Sequence, residues 1–211
     1  MITAQQASTR ILQHIEQIDV IPVLVLDDPA VAVDLAKVLV DAGLPVLEVT
    51  LRTSNALHVI EKMASVEGAV VAAGTVLNES HVLQAKQAGA SFAVSPGYTG
   101  SLWTAASQAD LPLLPGAATA SEMMSLMEIG FSMLKFFPAE TNGGIAALKS
   151  LGGPLPQMSF CPTGGVNTKN MGGYLELSNV ACVGGSWLVT EQDVAQKDWR
   201  SIAQKAQALE R

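Results

Sequence analysis

The chain has 211 residues, 49% of them apolar and only 15% charged, which argues against disorder and predicts one domain over residues 1–211 with a large buried core. Twelve basic residues stand against nineteen acidic ones, a net charge of −7, so a nucleic-acid partner, which needs clustered Lys and Arg, is not expected. Cys161 and Cys182 sit in apolar runs and cannot make a multi-disulfide scaffold. The polar N-terminal stretch is unlike a secretory signal, and no apolar run approaches roughly 18 residues. A cytoplasmic protein with no membrane partner is the expectation.

In chain order, a helix is predicted over Gln5–Ile18, then a strand over Ile21–Leu26 and a helix over Ala30–Ala42. A strand at Leu47–Leu51 is followed by a helix at Ser54–Ser65, and a strand at Val70–Gly74 by a helix at Glu79–Ala88. Predicted strands Phe92–Pro96 and Leu111–Pro115 precede helices Ser101–Ala109 and Thr119–Ile129. The remaining strands are expected at Met133–Pro138, Ser159–Thr163 and Ala181–Gly185, with helices at Gly144–Leu151, Thr168–Leu177 and Trp199–Leu209. Gly43, Gly89 and Gly130 mark helix C-termini, and Asn78 and Ser121 lie at or near helix starts. Strict strand–helix alternation with near-continuously apolar strands predicts a parallel sheet. Eight such units favour a closed (β/α)8 TIM barrel with an extra N-terminal helix. In such barrels the chemistry sits at the C-terminal strand ends.

In Leu47-Glu48-Val49-Thr50-Leu51-Arg52, period two places Glu48, Thr50 and Arg52 on the face opposite Leu47, Val49 and Leu51, toward the barrel interior. A carboxylate there is costly unless paired or functional, and a structural Glu48–Arg52 ion pair is the competing reading. Lys135, among five apolar neighbours in Met133–Pro138, is the most anomalous residue in the chain. Burial favours the neutral, nucleophilic amine that Schiff-base chemistry needs. Alternatively, Lys135 pairs with an interior acid or reaches solvent. Phe137 shares its face and can wall the site. The seventh and eighth predicted strands end in Thr163-Gly164-Gly165 and Gly184-Gly185-Ser186, where barrels commonly bind phosphate through backbone N–H groups. Gly143-Gly144 is read as a loop-to-helix turn. Thr75, Pro96 and Gly97 are weaker rim candidates. His14, His58 and His81 show no ligand spacing and no metal is expected; Trp103, Trp187 and Trp199 read as packing residues, and no nucleotide-binding motif follows the first strand.

The segments Ile21–Leu24, Glu48–Arg52, Gly74–Leu77, Ser95–Gly97, Leu134–Glu140, Cys161–Gly165 and Gly184–Leu188 together resemble the 2-keto-3-deoxy-6-phosphogluconate aldolase family, also called 4-hydroxy-2-oxoglutarate aldolase. The resemblance spans nearly the whole chain. It implies a metal-free class I lyase without a cofactor, on a (β/α)8 barrel, forming a homotrimer that acts on small 2-keto acids. By that resemblance Lys135 forms the Schiff base and Glu48 shuttles protons. Arg52 and Thr75 hold the pyruvate carboxylate near Pro96, Phe137 packs on the substrate and Thr163 positions it. Gly164, Gly165, Gly185 and Ser186 cradle the phosphate. The chain departs from the family pattern at Asp27-Asp28 and at Gly116–Thr119. A galactonate-derived epimer as substrate, oxaloacetate decarboxylation, a sugar-phosphate isomerase or epimerase, and a non-catalytic sugar-acid sensor stay open as alternatives.

Overall fold

The computed structural model describes residues 1–209. Strands β1 (Val20–Leu24), β2 (Val46–Thr50), β3 (Val70–Gly74), β4 (Phe92–Val94), β5 (Leu113–Leu114) and β9 (Val183–Gly185) form one sheet, ordered β5-β4-β3-β2-β1-β9. Strands β6 (Gly116–Ala117), β7 (Met133–Phe136) and β8 (Ser159–Pro162) form another, ordered β6-β7-β8. All these pairings are parallel. The fold is therefore α/β with a parallel sheet, as the alternation requires.

The fifth predicted strand, Leu111–Pro115, contracts to β5, and an unexpected strand, β6, follows immediately after Pro115. Proline has no N–H to donate, so ladder pairing cannot run through it. Leu113 and Leu114 pair with β4, whereas Gly116 and Ala117 pair with β7, and the Pro115 carbonyl accepts from Lys135 N at 2.9 Å. Gly116 permits the change of partner: a Cβ there would lie 2.2 Å from the Pro96 carbonyl oxygen. Two isolated parallel bridges, Phe160 with Val180 and Thr163 with Gly184, join the other edges of the two sheets. The assembly is strongly curled, because β2 and β7 lie in different sheets yet their Glu48 and Lys135 side chains meet at 3.0 Å.

Period two sorts the strand side chains into two apolar clusters. Leu47, Val49, Val71, Ala73, Leu134 and Phe160 pack outward against the helices. Val46, Ala72, Phe92, Leu114, Met133, Cys161 and Cys182 fill the concave side. Helix α1 (Ala4–Ile15) inserts Ile11 and Ile15 into that inner cluster, sealing the N-terminal ends of the strands. Its Ser8 Oγ accepts from the N–H groups of Ser132 and Met133 at 3.1 and 3.3 Å. The neighbouring Cys161 thiol and burial together push the Cys182 thiol up.

Helices α2 (Ala32–Asp41), α3 (Ala56–Ala64), α4 (Glu79–Gln87), α5 (Gly100–Gln108), α6 (Ala120–Ile129) and α7 (Gly144–Gly152) occupy the expected crossovers. Gly43, Gly89 and Gly130 have the left-handed φ of a helix C-terminus, 85°, 88° and 104°. Asn78 caps α4, and Ser121 lies in the first turn of α6, whose cap is Thr119: its hydroxyl and Glu122 make a capping box. The predicted helix Thr168–Leu177 contracts to α8 (Met171–Leu175), because Asn167 and Asn170 fold the preceding residues into a turn. Helix α9 (Glu191–Ala195), capped by Thr190 and Asp193, was not expected; α10 (Trp199–Gln207) was. No helix among the described residues is long and apolar enough to cross a membrane.

Candidate active site

The C-terminal strand ends surround a cavity of about 310 Å³. Every residue singled out as catalytic, substrate-binding or phosphate-binding lines it: Glu48, Arg52, Thr75, Pro96, Lys135, Phe137, Thr163, Gly164, Gly165, Gly185 and Ser186. Val23, Thr50, Val166 and Gly184 complete the wall. Thr50 and Gly184 were legible from strand period and the glycine pair. Val23 and Val166 carry no chemical signal in the sequence.

Glu48 and Lys135 form the floor, only 4% and 6% exposed. Lys135 Nζ donates to both carboxylate oxygens, at 3.0 and 3.3 Å, and stands 5.5 Å from the centre of the Phe137 ring. The alternative Glu48–Arg52 pair does not form. Arg52 Nε donates instead to Thr50 Oγ1 at 3.2 Å, and Thr50 in turn donates to the Leu24 carbonyl at 3.0 Å. That relay aims an exposed guanidinium at the mouth, where a bidentate carboxylate fits it. Gly74 makes the pair possible, since a Cβ there would lie 2.4 Å from Glu48 Oε1.

Thr75 holds φ at 60°, a left-handed conformation rare for a β-branched residue. Strain of this kind concentrates at binding sites, and Thr75 borders the cavity. Gly164 and Gly165 also have left-handed φ, 99° and 81°. On the facing turn, Trp187 packs against Gly185, where a Cβ would sit 1.6 Å from the indole ring. Trp187 therefore packs, as expected, but against the rim of this cavity.

The three histidines lie on helices outside the cavity. His14 stacks on Phe92 at 6.1 Å, and burial holds its imidazole below the ordinary value. Among the described residues no three His, Cys, Asp or Glu side chains cluster to hold a metal ion. Asp27 and Asp28 make caps: Asp27 Oδ1 accepts from Asn55 N and Ser54 Oγ, and Asp28 Oδ1 from Ala30 N. They border a larger cavity of about 620 Å³, which meets the first at Val23 and Ser186.

The sequence model of the KDPG and KHG aldolase family matches residues 11–205. A 2-dehydro-3-deoxy-phosphogluconate aldolase of Pseudoalteromonas atlantica is 47% identical over 188 residues, 89% of this chain and 87% of that one. The crystal structure of a KDPG aldolase from Legionella pneumophila, with pyruvate captured as a covalent carbinolamine, superimposes with a TM-score of 0.91. It is 41% identical and covers 95% of this chain and 98% of its own. The Zymomonas mobilis enzyme with 3-phosphoglycerate has a TM-score of 0.88 and 45% identity, over 97% of this chain and 98% of its own.

Proposed function

Because the chain belongs to the KDPG and KHG aldolase family, we propose that it cleaves 2-keto-3-deoxy-6-phosphogluconate to pyruvate and glyceraldehyde 3-phosphate through an imine on Lys135. The observation that carries this reading is the buried Lys135–Glu48 contact at 3.0 Å on the floor of the strand-end cavity. Transfer of one proton from the ammonium to the carboxylate leaves a neutral amine beside a carboxylic acid. The amine adds to carbon 2, and the acid protonates the carbinolamine hydroxyl as it leaves as water. The resulting iminium is an electron sink. Glu48, again a carboxylate, takes the proton of the 4-hydroxyl, directly or through one water. The bond between carbons 3 and 4 breaks and its electrons form the enamine. Protonation of carbon 3 by Glu48 and hydrolysis release pyruvate and free Lys135. General acid–base catalysis of this kind contributes roughly 10²–10⁴-fold.

Arg52 and Thr75 hold the keto-acid carboxylate, Pro96 and Phe137 wall the three-carbon end, and Thr163 positions the chain. Gly164, Gly165, Gly185 and Ser186 take the phosphate. The same imine chemistry serves 4-hydroxy-2-oxoglutarate, giving pyruvate and glyoxylate, in keeping with the dual family name. The reading includes closure of the curled sheets into a (β/α)8 barrel, residues 1–211 as one catalytic domain, a homotrimer, and a cytoplasmic setting without metal or cofactor. Its test is pyruvate release from a panel of phosphorylated and unphosphorylated 2-keto acids, with and without prolonged chelation. Fast release from the phosphorylated acid, unaffected by chelation, is expected. Release that is lost on chelation and restored by a divalent ion would contradict it.

A further inference from the structure

We propose that Tyr174 and Glu140 form a brace behind the cavity that positions the Gly164–Gly165–Val166 peptides, and so sets the preference for phosphorylated substrates. This rests on the reading of that turn as the phosphate cradle. Neither residue lines the cavity. Glu140 opens a short 3-10 turn, Glu140–Asn142, after β7, and Tyr174 is a fully buried residue of α8. The Tyr174 hydroxyl donates to Glu140 Oε1. Its burial and the neighbouring carboxylate push the phenol well up, so it remains a donor across neutral pH.

The Glu140 side chain runs through a slot that two glycines leave open. A Cβ on Gly165 would lie 2.6 Å from Glu140 Cγ and 2.8 Å from its Cβ. A Cβ on Gly144 would lie 2.9 Å from Glu140 Oε1 and 3.1 Å from the Tyr174 hydroxyl. Both glycines have positive φ, 81° and 58°. Gly144 is thus more than part of a turn into α7: it clears the space for the brace.

The same segment fixes the peptide planes. The N–H of Glu140 donates to the Gly164 carbonyl at 3.1 Å, while Asn167 Nδ2 and Asn170 Nδ2 donate to the Gly165 carbonyl at 3.0 and 3.2 Å. In a trans peptide the carbonyl and the following N–H point opposite ways. The Gly165 N–H therefore points away from Glu140, and the Val166 N–H away from Asn167 and Asn170, on a turn whose residues line the cavity. Two amides so aimed suit an anion. A Glu140 carboxylate released from Tyr174 would loosen the turn and bring a negative charge beside a bound dianion.

The test compares Tyr174→Phe, which removes only the hydroxyl, with Glu140→Gln, which keeps an acceptor for Tyr174 but removes the charge. The KM and kcat of each are measured on phosphorylated 2-keto-3-deoxygluconate and on 4-hydroxy-2-oxoglutarate, with inorganic phosphate as a competitive inhibitor. Tyr174→Phe should raise KM for the phosphorylated substrate about tenfold and weaken phosphate inhibition equally, the scale of one hydrogen bond to a charged group. Its kcat, its KM for the unphosphorylated substrate and its borohydride trapping with pyruvate should not change. Glu140→Gln should retain the native phosphorylated KM. An unchanged KM ratio in Tyr174→Phe, or an equal rise for both substrates, would overturn the brace while leaving the aldolase reading intact. A wild-type enzyme that does not distinguish the two substrates would overturn the phosphate cradle and the brace with it.

Discussion

Lys135 and Glu48 illustrate how burial and chemistry select the same residues. Each charge alone would be costly on the concave face, and together they satisfy one another at 3.0 Å. The structural reading of Lys135, a partner for an interior acid, and the catalytic one therefore describe a single contact. Glu48→Gln keeps an acceptor for Lys135 but cannot take a proton. Turnover should fall by at least about 10²-fold, while borohydride trapping with pyruvate persists; near-native rates would reduce Glu48 to a structural partner. Lys135→Ala leaves a buried carboxylate without its cation and should cost about 3–5 kcal/mol of stability in denaturant titration. The Lys135→Ala/Glu48→Gln double variant should lose less than the two single losses combined, because the residues touch. Additive losses would mean the pair is not coupled. The lysine was legible as an apolar-run anomaly, and Glu48 from strand period. Gly74 was not, because its role is the space it leaves for Glu48.

Apolar period and glycine punctuation made the strands and most helices legible. The change of partner at Pro115 was not, since it depends on which neighbour each half of the strand meets in space. Helix α9 and the contraction of α8 were missed because their short runs lack a clear 3.6-residue apolar period, and side-chain caps decide them. Gly116→Ala would press a methyl group against the Pro96 backbone, which has no rotamer to yield. It should destabilise by about 1–3 kcal/mol, as overpacking does, against little effect at the open Gly97. At the other end, α1 seals the strands with His14 against Phe92. Burial depresses this imidazole below its ordinary 6.5, so the unfolded chain binds the proton first. Its contribution is complete above about pH 6.5 and is lost as pH falls from there toward the lower folded value. His14→Phe should therefore show a shallower loss of melting temperature between about pH 7 and 5 than the native chain. An identical slope would exclude His14 as the source.

At the scale of the molecule, the curl of the sheets converts residues distant in sequence into one site. Lys135 and Glu48 are 87 positions apart, and the cavity takes residues from β1, β2, β7 and β9 and from the turns that follow β2, β3, β4, β7, β8 and β9. The rule that parallel strands deliver chemistry at their C-terminal ends made this convergence predictable. It could not reveal the layer behind, where Tyr174, Glu140, Asn167 and Asn170 hold the glycine turn, because those contacts follow from loop conformations that no periodicity encodes. The central claim is that Lys135 is the nucleophile. Reduction with sodium borohydride in the presence of pyruvate, followed by peptide mapping, tests it most directly. The account predicts one irreversible adduct per chain, on Lys135, and none in Lys135→Ala. Labelling of another lysine, or undiminished labelling of the alanine variant, would contradict it.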